Sequence, residues 1–292
     1  LRRHFLKDTE VLDFKEILAL VGLLADRGIR HVRLTGGEPL LRPRLVSFVK
    51  ELAQVPSLEI LSLTTNGFLL PELLAGLKRG GLQRINISLD TLQEDRFRRL
   101  TGRDGLRKAR EAIVAAARMG FDRVKINVIV MRGFNDDEIQ DFVDFGIKHR
   151  VDVRFIEIFP THGRCDRTRD IFFASADVKR KIEASWGALE PLGTDMFCGP
   201  AQYFKIKGAS SRIGFISSVS DFFCGTCNRL RLTSDGKLYP CLHSDHHADL
   251  KDALRSVERG TLGRLIDDVI DHKEAFNRAV CSRAFEMSGM GG

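Results

Sequence analysis

Along the first 160 residues, hydrophobic positions switch repeatedly between a helical and a strand period. Leu18, Val21, Leu24 and Ala25 recur at helical spacing. Asp13 as N-cap with Glu16 three residues on predicts the start of that helix. Gly28 predicts its end. His31 to Thr35 then reads as a strand, followed by a helix from about Arg44 to Ala53 and a strand from Leu58 to Thr65. The same alternation predicts a helix over Pro71–Arg79 and a strand over Arg84–Asp90. It continues with a helix over Gly105–Met119, a strand over Val124–Met131, a helix over Asp136–His149 and a strand over Val153–Phe159.

Five strands alternating with helices predict parallel β/α units. The strand ends carry glycine or polar residues: Gly36-Gly37-Glu38, Thr64-Thr65-Asn66, Ser88 with Asp90, Lys125 with Asn127, and Glu157. In barrel folds that end of the sheet holds the chemistry. Beyond Pro160 the alternation fades. Thr161 to Asp170 reads as a basic loop and Asp177–Trp186 as a helix. Strands are expected at Tyr203–Lys207 and Ile213–Ser217, and helices around Leu250–Val257 and Leu262–Phe276.

Composition narrows the classes. A length of 292 residues with 43% hydrophobic content supports one large α/β domain or a domain with an extension. The net charge of +7 favours an anionic ligand without requiring nucleic acid. No apolar run is long enough to span a membrane, and no signal peptide is expected. The six cysteines form no secreted disulfide framework, so a reducing cytoplasm is expected. The sequence opens on Leu1 rather than Met, and a preceding segment is expected.

Candidate chemistry concentrates in Phe222–Leu242, FFCGTCNRLRLTSDGKLYPCL, where Cys224, Cys227 and Cys241 are spaced C-x2-C-x13-C. Ser234-Asp235-Gly236 is a hairpin turn signal that would return Cys241 beside the first pair. Three converging thiolates suit an iron–sulfur cluster or a zinc ion. A fourth zinc ligand could come from His243, His246, His247, Cys281 or Cys198, and a structural zinc or packed cysteines stand as alternatives. Arg229 and Arg231 alternate with Leu230 and Leu232, placing both arginines on one face of an expected strand. Two guanidiniums beside a metal site suit a phosphate or carboxylate.

Gly36-Gly37-Glu38-Pro39 after a strand and TTNG at Thr64–Gly67 resemble the radical S-adenosylmethionine enzymes. With ISLD at Ile87–Asp90, FCGTCNRLRLT at Phe223–Thr233 and the Gly291-Gly292 tail, the set resembles the GTP 3′,8-cyclases of molybdenum-cofactor synthesis. The resemblance covers nearly the whole chain. It implies an incomplete (β/α)6 TIM-like barrel over 1–182 and, over 183–292, a C-terminal extension carrying an iron–sulfur cluster.

The resemblance also implies site residues. Cys224, Cys227 and Cys241 would ligate a second [4Fe–4S] cluster whose open iron takes the guanine of GTP. Arg33, Thr64, Lys125, Arg229 and Arg231 would hold GTP, and Gly37 and Ser88 S-adenosylmethionine. Phe159 stands where the family has a methionine near that cofactor, and it would pack against adenine. Cys165, Cys198 and Cys281 are expected not to be ligands, and the histidines after Cys241 to be exposed or outside the ligand set.

The family's first cluster sits on a C-x3-C-x2-C motif that the 292 residues do not contain; it is expected upstream of Leu1, with the first barrel strand. In the family that cluster reduces the sulfonium, and the resulting 5′-deoxyadenosyl radical takes a ribose hydrogen so that the ribose carbon attacks C8 of guanine. The resemblance further implies an electron donor such as flavodoxin or ferredoxin, a downstream cyclic pyranopterin monophosphate synthase, and allows a homodimer. Two other readings remain at this point: another radical enzyme with an auxiliary cluster, acting on peptides, or a catalytically dead nucleotide-binding homologue.

Overall fold

The computed structural model describes residues 9–159, 169–193, 199–221, 227–242, 244–256 and 259–279. Helix α1 (Phe14–Asp26) begins at the predicted capping box: Glu16 N–H donates to Asp13 Oδ1 at 2.8 Å, and Asp13 N–H to Glu16 Oε2 at 2.7 Å. The alternation then runs β1 (His31–Leu34), α2 (Leu45–Leu52), β2 (Ile60–Thr65), α3 (Leu70–Arg79), β3 (Arg84–Ser88). It continues through α4 (Glu94–Thr101), α5 (Leu106–Arg118), β4 (Arg123–Val130), α6 (Ile139–His149) and β5 (Asp152–Glu157).

After β5 come α7 (Ser175–Trp186), β6 (Glu190–Pro191), β7 (Gln202–Lys205) and β8 (Arg212–Ile216). All eight strands form one sheet in the order β1-β2-β3-β4-β5-β8-β7-β6. β1 to β5 and β8 pair in parallel, and β7 and β6 then add on antiparallel. The expected β/α order is therefore present as an incomplete barrel, with β8 returning as the sixth parallel strand.

The two faces of the strands differ in polarity. Leu61 and Leu63, Ile85 and Ile87, Val124 and Ile126, and Val153 and Phe155 point to the helices and join Phe48, Leu74, Ile113 and Phe142 in the main core. Each fully buried side chain of this size stabilises by about 1.5–3 kcal/mol. Residues one position out of step share the other face: Arg33, Ser62 and Thr64, Asn86, Lys125, Arg154. Parallel strands packed on one side by helices thus leave a polar interior on the other.

The C-terminal part docks through a second core. β9 (Arg231–Leu232), β10 (Lys237–Tyr239) and β11 (Ala248–Asp249) form a small antiparallel sheet, followed by α8 (Lys251–Arg255) and α9 (Arg259–Ala279). Leu238, Ala248, Leu262, Ile266 and Val269 pack with Leu12, Leu20 and Leu24 of the α1 region. The same helix gives Val21 to the main core, so α1 is the shared wall. Leu12 N–H donates to Ser234 O at 2.7 Å and Arg27 pairs with Asp267 at 2.5 Å. Among the described residues no helix is long and apolar enough to cross a membrane.

Candidate functional site

Strand register sets the interior site. Thr64, Asn86 and Lys125 lie level on β2, β3 and β4, and Lys125 pairs with Asp152 on β5. One step along, Ser88, Asn127 and Arg154 are level. Arg154 donates from Nη2 to Asn86 Oδ1 at 2.7 Å and from Nε to Asn127 Oδ1 at 2.8 Å. Asn86 in turn donates to Thr64 Oγ1 at 3.2 Å. Thr64 is thereby fixed in a network that holds a buried guanidinium.

Lys125 is only 2% exposed, which excludes a solvated surface lysine. Its Nζ lies 5.2 Å from the centre of the Tyr203 ring, and Arg212 stacks on the same ring at 4.5 Å. Arg212 is neutralised by Asp152, with Nη2 2.7 Å from Oδ2. Arg33 Nε donates to Ser62 Oγ at 3.3 Å. The pKa of Arg33 is pushed down to about 10 by burial and then by the charges of Arg154, Arg229 and Arg231, with Tyr203 acting the other way. Four guanidiniums therefore crowd one region, and burial followed by Arg229 also lowers the pKa of Arg231.

The expected RLR strand is shorter than predicted. Only Arg231–Leu232 is strand; Arg229 lies in the extended segment before it, so the two arginines do not share one strand. Leu230 and Leu232 pack on the second core, and both guanidiniums act on Arg33 of the barrel. The Ser234–Gly236 turn is as expected: Tyr239 pairs with Arg231 and Leu238 with Leu232. Gly236 has φ +92°, and a Cβ there would meet Lys251 Cβ at 2.8 Å, so only glycine fits.

This hairpin brings Cys241 back towards Cys227. Both thiols are half-buried and unbridged, and both act on Arg231. Arg229 Nε approaches Cys227 Sγ at 3.4 Å. Burial would push the Cys227 thiol up, but Arg229, by charge and hydrogen bond, and Lys273 hold it below its ordinary value. Lys273, on α9, donates to Arg229 O at 2.6 Å and Pro240 O at 2.7 Å, with Nζ 3.9 Å from Cys227 Sγ. Two soft sulfur donors beside fixed cations suit an iron–sulfur cluster. Cys224 lies outside the described residues, as do His243, Cys165, Cys198 and Cys281. His246 and His247 are exposed, as expected.

At the strand ends, Gly37 and Ser88 are exposed, and Phe159 is half-buried two residues past β5. A Cβ on Gly36 or Gly37 would meet nothing within 4 Å, which leaves an open cradle beside the backbone. Glu38 closes one side: it accepts from Thr65 Oγ1 and Asn66 N–H. Gly37 follows β1 and Ser88 closes β3, while the cation cluster lines the interior face of the same sheet.

Sequence reasoning missed Arg154, Asn86, Tyr203 and Lys273; Asn127 shows in the sequence only as a polar strand-end residue. The signal for Arg154 was present: Asp152 and Arg154 share the interior period within a strand that is otherwise apolar up to Glu157.

An open parallel barrel with a glycine cradle at its strand ends is the architecture of radical S-adenosylmethionine enzymes. Residues 2–146 match the model of the radical SAM superfamily, which implies a [4Fe–4S] cluster and S-adenosylmethionine. Residues 151–278 match the model described as Molybdenum Cofactor Synthesis C. A GTP 3′,8-cyclase of Moorella thermoacetica is 44% identical over 247 residues, 85% of this chain and 76% of the relative. That of Alkaliphilus metalliredigens is 43% identical over 241 residues, 82% of this chain and 74% of the relative. The chain belongs to the GTP 3′,8-cyclase family. Streptococcus suis SuiB bound to S-adenosylmethionine shares the fold with TM-score 0.65 at 15% identity, over 94% of this chain and 63% of SuiB.

Proposed function

We propose that the protein is a GTP 3′,8-cyclase that carries out the first step of molybdopterin synthesis. The observation that carries this is the cation cluster. Burial first, and then the charges of Arg154, Arg229 and Arg231, depress Arg33, so four guanidiniums share a region where a triphosphate would offset their charge. Lys125 and Thr64 extend it along the interior face. Cys224, Cys227 and Cys241 would hold a second [4Fe–4S] cluster, with its open iron turned to guanine. Gly37, Ser88 and Phe159 would hold S-adenosylmethionine. When bound, the cofactor and its cluster supply the 5′-deoxyadenosyl radical.

The chain's own residues bind and orient. Arg229 and Arg231 lie beside Cys227 and Cys241, so base and phosphates of one nucleotide are engaged together. Adenine presents a different edge, so ATP binds more weakly although its phosphates are the same. Residues 1–182 would serve the cofactor and, through Arg33, Thr64 and Lys125, part of GTP, and residues 183–292 would supply the auxiliary cluster and the remaining GTP contacts. The donor would be flavodoxin or ferredoxin, and the product would pass to cyclic pyranopterin monophosphate synthase.

The test is anaerobic turnover by the protein with its C-x3-C-x2-C segment, clusters assembled. GTP should yield the cyclised nucleotide and one 5′-deoxyadenosine per product. GTP that binds without stimulating 5′-deoxyadenosine formation would leave a nucleotide-binding homologue instead.

A further inference from the structure

We propose that His246, Asp268 and His272 form a binding site for one divalent transition-metal ion, separate from the cysteine site. One ligand atom from each of the three lies within 4.8 Å of the others, and all three side chains are exposed. Asp268 and His272 stand four apart on α9 and so share a face. His246 comes from the segment after Cys241. The donor set of two imidazoles and a carboxylate suits zinc and its neighbours rather than calcium or magnesium.

Present contacts prepare the set. His272 Nδ1 lies 2.8 Å from Asp268 O. The same Nδ1 lies 3.3 Å from Asp268 Oδ1, and a metal bound there would take the place of its proton. His246 Nε2 lies 3.2 Å from Asp268 Oδ2, and the two rings are 4.6 Å apart. An ion would replace the proton shared by His246 and Asp268. Tetrahedral bonds of about 2.0–2.1 Å set donors about 3.3 Å apart, a spacing that His246 Nε2 and Asp268 Oδ2 already have, and exposed side chains can rotate to seat the ion. Water would complete the coordination.

The location gives the site a consequence. His272 precedes Lys273, whose Nζ binds the carbonyls of Arg229 and Pro240. His246 is held to Ser244, whose N–H binds Cys241 O at 3.2 Å. A bound ion would therefore tie the segment after Cys241 to α9, behind the auxiliary cysteines. This inference does not depend on the identity of the nucleotide.

The test uses full-length protein with clusters assembled anaerobically, cleared of loose metal with EDTA, equilibrated with zinc and desalted. Zinc and iron are then counted per chain. Wild type should retain one zinc more than the His246→Ala/His272→Ala variant, with equal iron in both. These exposed substitutions leave the fold intact. Zinc should also slow amide exchange in residues 244–248 in wild type and not in the variant. Equal zinc in both proteins, or zinc gained only as iron is lost, would overturn the proposal.

Discussion

The Thr65 hydroxyl donates to Glu38 Oε1 at 2.7 Å, joining the TTNG stretch after β2 to the GGEP stretch after β1. The other carboxylate oxygen accepts Asn66 N–H at 2.8 Å, and Oε1 also accepts Leu40 N–H at 3.1 Å. One charged side chain thus fixes the backbone beside Gly37. Glu38→Ala should lower stability by about 1–3 kcal/mol, because it leaves donors without a charged acceptor. Glu38→Gln should recover part of that loss. Urea denaturation of both variants and titration with S-adenosylmethionine check this. An alanine variant that unfolds and binds like wild type would remove the carboxylate from any role in shaping the cradle.

Two other carboxylates at strand ends respond oppositely to pH. Burial pushes Asp90 up to about 6, although Ile129 N–H donates to it at 2.7 Å. Its folded value lies above its unfolded one, so its contribution is fully present below about 4 and is lost as pH rises through about 6. Asp90→Asn keeps an acceptor for Ile129 and removes the ionisation. It should be more stable than wild type at pH 8, with the difference vanishing near pH 4.

Glu157 runs the other way. Burial opposes its ionisation, but Ser175, Ser220 and Val219 all donate to it and hold it below the ordinary glutamate value. Its stabilisation is present above about 4.3 and is lost as pH falls through the lower folded value. Glu157→Gln should therefore cost stability at pH 7 and converge with wild type in acid. Thermal melts from pH 3 to 8 separate the two residues; parallel profiles for all three proteins would contradict both assignments.

The barrel was legible because strand and helix periods alternate cleanly and the caps are local. Asp13 with Glu16, and Ser234 with Gly236, act through neighbours in sequence. Helix α4 was not legible. In EDRFRRLT only Phe97 is buried, so no apolar stripe announces it. Arg96 instead binds Asp137 and the buried Glu138, and such partners lie some forty residues away. The site was legible where glycine or cysteine marks it and hidden where a charged residue occupies a core period. Arg154 is such a residue on a strand, and Lys273 on a helix.

GTP affinity tests the interior face. Each charge-assisted contact is worth about 1.5–3 kcal/mol, so Arg231→Ala and Lys125→Ala should each weaken GTP binding roughly tenfold or more. Lys125 is buried, so its circular dichroism and melting temperature must be recorded alongside. Anaerobic GTP titration of the cluster-loaded proteins gives the numbers. Unchanged affinity in both variants would place the triphosphate elsewhere.

Lys273 is the residue whose removal should most directly loosen the cysteine hairpin. Leu262, Ile266 and Val269 form the buried stripe of α9, and Lys273 continues it four residues on. A lysine there is only 9% exposed. Its ammonium reaches Arg229 O, Pro240 O and the Cys227 sulfur, that is, both arms of the hairpin at once. Lys273→Met keeps the stem and the packing but leaves two carbonyls without that donor, which should cost about 1–3 kcal/mol. It also removes a cation that favours the Cys227 thiolate. The variant should unfold at lower urea and surrender iron to a chelator faster than wild type. Arg264→Ala, on the exposed side of the same helix, is the control and should do neither. Iron release and unfolding identical to wild type would show that the hairpin holds its cysteines without Lys273.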